Sequence, residues 1–247
     1  MPAAPRTTLI EVVKYVAKSV GHPTTTDVAS STDEAISRLG FYVNLCGSEL
    51  GFMFNWQHLM KTANLTIVAD TPGQIEKGFA LPADFKAMID DTHWDSTSQM
   101  PALGPINPQD WQCLVVRQAM ITTRFLWRIR DGKLWIKSPP TTPSNLTFEY
   151  LSKYWAVDGE DGTPIDAMTQ NSDYHTYPWQ LLVLFTRAKW FENEGYDSTG
   201  AYLDFQKAFA YETGTNQGAT SLSLVPGVGY PYITVARNLP DTGYGSA

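Results

Sequence analysis

Two short apolar runs meet at Asp131-Gly132, and no other stretch constrains this chain so tightly. A two-residue type I′ turn needs positive φ at both positions, which Asp and Gly tolerate, so Thr122 to Lys137 is predicted to fold back as an antiparallel hairpin. Period-two alternation then sorts the side chains. Phe125, Trp127, Ile129, Leu134 and Ile136 share one face, and Leu126, Arg128, Arg130, Lys133, Trp135 and Lys137 share the other. The first face needs a core. The second is cationic with one exposed tryptophan, in a stretch from Arg117 to Lys137 that holds six basic residues and one acid.

Helical spacing dominates on both sides of this region. Thr8 to Glu11 fits a capping box, followed by Leu9, Val12, Val13, Val16 and Val20 on one stripe and Gly21 as a stop. Ser31 to Glu34 offers a second box before Ile36, Leu39, Val43 and Cys46. Gly47 and Gly51 are expected to break that helix ahead of a third helical stretch over 52–61. A strand follows at Leu65, Ile67 and Ala69, then a turn at Thr71-Pro72-Gly73 and a short strand at Phe79 to Pro82. One or two helical turns are expected over Asp84 to Asp91, and a long surface loop over His93 to Pro105. Asn107-Pro108 opens a helix to about Gln118. Asn145 to Val157 is predicted as a third antiparallel strand, with Leu146, Phe148, Tyr150 and Tyr154 on one face. Late helices are expected from Pro178 to about Glu194 and from Ser198 to Tyr211. The last thirty-four residues hold six glycines, three prolines and two charges, which suits an extended arm rather than a regular element.

The fold class predicted is α+β: a helical bundle with an inserted small antiparallel β-domain and an extended C-terminal arm. Its divisions are 1–62, 63–157, 158–213 with the C-terminal helices packing on the N-terminal ones, and 214–247. At 247 residues the chain has enough length for a substantial core. Its net charge is −7, and residues 157–247 hold four basic and eleven acidic groups, so the whole imbalance sits there. That balance argues against a general duplex-DNA binder, because such binding needs a cationic surface. Charged residues are scarce at 17%, which leaves surface for something other than ions to cover. Cys46 and Cys113 fit neither a disulfide framework nor a zinc spacing and are expected to be buried structural thiols. Charges interrupt the apolar run at Leu9 to Val20, so no membrane span or secretory leader is expected there.

Catalytic chemistry is hard to find. The four histidines form no ligand pair at i, i+4, and His93-Trp94-Asp95 lies in the expected loop without a nucleophile. The cluster Asp158, Glu160, Asp161 and Asp166 departs from a calcium loop, since Thr163 and Thr169 stand where glycine and glutamate are required. No phosphate-binding glycine loop occurs. No cofactor and no enzyme activity are expected. The cationic hairpin face, Arg128, Arg130, Lys133, Trp135 and Lys137, reads either as a docking face for an acidic protein surface or as a solvated strand face with Arg128 stacked on Trp135.

The order of these elements carries a resemblance. Trp56-Gln57-His58-Leu59 closes the N-terminal helices, and Asp70 to Gln74 makes the turn. Ala80 to Phe85 follows, then the Asn107-Pro108 helix with Trp111, and Phe125 to Ile136 leading into Pro139 and Pro140. Phe148-Glu149-Tyr150 and a long late helix complete the series. Over about residues 8–215 this resembles the head-to-tail adaptor (connector or tail accessory) proteins of tailed bacteriophages. The resemblance implies a structural virion protein at the head-tail junction, assembled in the host cytoplasm. It implies a homo-oligomeric, dodecameric ring that joins the portal protein to a downstream tail or nozzle protein and passes DNA without sequence-specific binding. It places the hairpin face toward neighbouring components and the arm, with Tyr230, Tyr232, Arg237 and Tyr244, on the portal or a neighbour. Asp158, Glu160, Asp161 and Asp166 become candidates for a repulsive lumen wall. The competing expectations are a virion-associated glycan-binding protein or hydrolase, suggested by the aromatic content, and an unrelated scaffold.

Overall fold

The computed structural model describes residues 7–116 and 124–216. Its first helix, α1 (Leu9–Ser19), starts where expected, with the Thr8 N–H donating to Glu11 Oε2 at 3.0 Å. The second, α2 (Glu34–Met53), is capped by Asp33, whose Oδ1 accepts the Ala35 N–H at 3.0 Å. Ser31 does not cap it, because its hydroxyl accepts the Asp33 N–H instead. No break occurs at Gly47 or Gly51. At Gly47 the ring of Trp155 fills the space a Cβ would need, and the Tyr177 hydroxyl donates to the Gly47 carbonyl at 3.0 Å, so glycine serves close approach here. The expected third helix is replaced by a 3₁₀ turn over Gln57–Leu59 and the start of β1 (Met60–Ile67).

The middle of the chain is mostly strand. It comprises β2 (Glu76–Ala80), β3 (Phe85–Met88), β4 (Trp94–Asp95), β5 (Met100–Pro101), α3 (Pro108–Val116), β6 (Leu126–Arg130), β7 (Lys133–Lys137) and β8 (Ser144–Ser152). β8 is the central strand of the larger sheet. It pairs with β1 from Met60↔Leu151 to Ile67↔Ser144, and its other edge takes β3 and β4, with β5 beyond β4. Thus residues 145–152 do not extend the hairpin, whose third strand is β2, joined at Glu76↔Lys137 and Ala80↔Lys133. Tyr154 lies beyond β8. The helical turns expected after Asp84 are strand because Asp84 is pinned to that sheet. Its carboxylate accepts bonds from Lys61 Nζ (2.6 Å), the Tyr150 hydroxyl (2.8 Å) and Ser152 Oγ (2.9 Å). The expected loop at His93 to Pro105 likewise contains β4 and β5.

What the sequence suggests is an acidic loop folds into a small sheet, β9 (Ala156–Val157), β10 (Pro164–Ile165) and β11 (Tyr174–His175), ordered β10-β9-β11. Asp173 organises it. Fully buried, its carboxylate accepts N–H bonds from Gly159 (3.2 Å), Thr169 (2.7 Å) and Gln170 (2.8 Å). Two helices finish the described chain, α4 (Trp179–Asn193) and α5 (Thr199–Asn216).

Two cores result. The first gathers α1, α2, α4 and α5 around residues such as Leu39, Leu182 and Phe185, together with Leu151 from β8 and Trp155. α4 packs against the three other helices of this core. The second lies between β1, β8 and the hairpin, with Ile67, Trp127, Leu134, Ile136 and Phe148. Each fully buried aliphatic or Phe side chain stabilises by about 1.5–3 kcal/mol relative to exposure. The architecture is α+β, as expected.

Candidate interaction surfaces

The hairpin turn forms as its sequence requires, with φ of 53° at Asp131 and 66° at Gly132. Its pairing, Arg128↔Trp135 and Arg130↔Lys133, puts the named cations on one face. That face is not an open plate. α3 lies over it, and Arg128 stacks on the Trp111 ring at 4.5 Å rather than on Trp135. Trp135 instead receives the Arg130 guanidinium at 3.8 Å, and its Nε1 donates to the Arg130 carbonyl at 3.1 Å. Glu76 accepts from Trp111 Nε1 (2.6 Å) and Arg130 Nη2 (3.3 Å). Arg128 and Lys137 are therefore buried, Arg130 and Trp135 half-buried, and only Lys133 is exposed. Burial lowers the pKa of both Arg128 and Lys137. Trp111 and Glu76 were not foreseen as parts of this face.

Of the acidic candidates, Asp158, Glu160 and Asp161 lie on the turn between β9 and β10, and Asp166 follows β10. Asp158 Oδ1 accepts the Glu160 N–H at 2.7 Å, and Asp161 Oδ1 accepts the Thr163 N–H at 2.9 Å, a bond that holds its pKa down. Glu160 and Asp161 are exposed at the tip, while Asp166 stands 3.9 Å from Lys153 Nζ. Among the described residues no three His, Cys, Asp or Glu side chains gather to hold a metal ion. Nor is any described helix long and apolar enough to cross a membrane. Tyr230, Tyr232, Arg237 and Tyr244 lie outside the described residues.

Two other expectations change. His93 and Asp95 are buried rather than at the surface, and they do not pair. His93 packs on Trp127 with ring centroids 4.1 Å apart, and on Phe148 at 5.6 Å; Asp95 accepts from Ser144 Oγ (2.6 Å) and Ser98 Oγ (2.7 Å). Cys46 is buried, its pKa pushed up to about 12 by desolvation, but Cys113 is exposed because it faces away from Trp111 on α3.

One surface had no counterpart in the sequence reading. On α2 the positions 41, 45 and 52 recur at helical spacing opposite the core stripe. Phe41 is 63% exposed and Phe52 74% exposed, with Leu45 half-buried between them. Lys86 Nζ holds the Phe52 ring at 3.6 Å from its centroid. The signal was present in the sequence, where α2 carries apolar residues on two faces. No family model matches the chain, and no curated protein matches it.

Proposed function

We propose that this chain is a structural virion protein, a head-to-tail adaptor that forms a ring between portal and tail components around the DNA channel. The resemblance in element order motivates the reading. The observation that carries it is the outward apolar stripe of α2, since a helix with its core face already satisfied presents Phe41 and Phe52 as area for a neighbouring subunit. In this reading the arm beyond α5, with Tyr230, Tyr232, Arg237 and Tyr244, attaches the ring to the portal.

Mass photometry of the purified chain, alone and with portal protein, tests the proposal. Rings are expected in at least the portal-containing sample. Phe41→Asp with Phe52→Asp should abolish them while leaving the melting temperature within a few degrees, because neither side chain belongs to the core. Deleting residues 215–247 should remove portal attachment and leave a folded body. A chain that stays monomeric beside portal and binds or cleaves glycans would overturn the assignment.

A further inference from the structure

Arg128 and Lys137 pose a problem of charge. They are only 7% and 5% exposed, yet among the described residues neither makes an ion pair or a side-chain hydrogen bond, and Arg128 Nε is buried with no partner. The nearby carboxylates act on them through space, Glu76 on both and Asp131 on Arg128, but bond to neither. Glu76 is already engaged by Trp111 and Arg130, and Asp131 stands 3.6 Å from Arg130 Nε. Residues 117–123, the neighbouring stretch of chain, contain no Asp or Glu. Taking a guanidinium largely out of water without a bonded counter-ion is costly, so Arg128 is arranged to receive an anion.

A cleft leads to Arg128. About 420 Å³ in volume, it is lined by Asp90, Ile106, Pro108, Arg128, Ile129 and Arg130, among others, along the outer edge of β6. The Asp90 carboxylate forms no ion pair with either arginine. Leu103 and Ile106 use the outward backbone groups of Trp127, but two residues on, Ile129 has no such neighbour among the described residues and is 41% exposed.

We propose that this cleft receives the acidic turn Asp158–Thr163 of a second copy of the chain, with Glu160 or Asp161 as counter-ion to Arg128. The turn is preorganised, with the Asp158 N–H donating to the Thr163 carbonyl at 2.8 Å and the Gly162 N–H to the Asp158 carbonyl at 3.1 Å. Its flanking strands belong to the helical core, whereas the cleft belongs to the β core. Turn of one copy into cleft of the next is a head-to-tail contact, the kind that generates rings when rotation closes. Charge complementarity supplies the register. This assignment moves Glu160 and Asp161 from a lumen wall to the seam between subunits. It rests on the ring reading for closure, though not for binding.

The test is titration of the full chain, at low salt, with a cyclised peptide of residues 156–166. A less acidic counterpart carries Glu160→Gln and Asp161→Asn and keeps Asp158 and Asp166. The native-sequence peptide is expected to bind at least about tenfold more tightly, and Arg128→Met to remove the difference. Should that variant not fold, Ile129→Glu at the exposed edge provides a second reading and should weaken the native-sequence peptide by a similar factor. Equal binding of both peptides, or of neither, overturns the proposal. Tight binding of inorganic phosphate or of a short oligonucleotide in place of the acidic peptide also overturns it, by assigning the cleft to phosphate. Ring formation is scored separately by mass. Rings unaffected by Glu160→Gln with Asp161→Asn remove this contact and leave the adaptor reading standing; specific peptide capture without rings does the reverse.

Discussion

The His93 ring lies between Trp127 and Phe148 with its Nε2 3.2 Å from Met88 Sδ, and burial lowers its pKa from 6.5 to about 4. The unfolded chain takes up this proton near 6.5 and the folded chain only near 4, so between those values the unfolded state holds more protons. Stability from this group is fully present above about pH 6.5 and is lost as pH falls toward 4. A shift of that size corresponds to about 3 kcal/mol. His93→Phe, which keeps an aromatic ring in the stack, should flatten the dependence of urea midpoints on pH between about 6.5 and 4.5. It should not abolish it, since His175 is shifted in the same direction by burial. An unchanged slope would remove His93 from the account. None of this was legible in His93-Trp94-Asp95, because the groups that bury the imidazole come from residues 127 and 148. Asp84 is similar: burial would raise its pKa, but bonds from Lys61, Tyr150 and Ser152 outweigh that, and the same burial and bond push Tyr150 up to about 12.

Among elements, α2 shows how a glycine can mislead. Within a helix its propensity cost relative to Ala is about 1 kcal/mol, which makes a break the natural expectation. Contact with Trp155 reverses the reading at Gly47. Gly47→Ala should therefore destabilise the chain by about 2 kcal/mol despite better propensity, since overpacking costs about 1–3 kcal/mol. Gly200→Ala, with nothing near the added carbon, should be neutral to stabilising by up to about 1 kcal/mol. Denaturant midpoints of the two variants moving in the same direction would contradict this. α1, with its single apolar stripe, was legible from periodicity, α4 from an apolar run that buries several faces, and the hairpin from its turn. The pairing of β2 with β7 was not, because Glu76 and Lys137 are brought together by tertiary packing that no local pattern reports. That missing strand is also why the cationic face looked open: Glu76 arrives on β2 and Trp111 on α3.

For the whole molecule, β8 is the shared member. Leu146, Phe148 and Tyr150 enter the β core, and Leu151 of the same strand enters the helical core. Neither core can lose β8 and keep its packing, so thermal unfolding is expected to be a single transition. Leu39→Ala in one core and Phe148→Ala in the other should each cost about 2–5 kcal/mol and shift that same transition. Two separated transitions, or a variant that displaces only part of the circular-dichroism signal, would show that the cores unfold independently. The α+β class could be read from the order of patterns, but this bridging role could not, since it depends on one strand having pairing partners on both edges.

The two cysteines, so different in exposure, make the chain its own reporter. Cys46 is sealed in the helical core with a thiol that resists ionisation, which leaves Cys113 as the sole thiol on the described surface. A maleimide dye would find one address per chain, on the helix that roofs Arg128. Light emitted from there can report whether an added acidic peptide enters the cleft, with no substitution in the sequence.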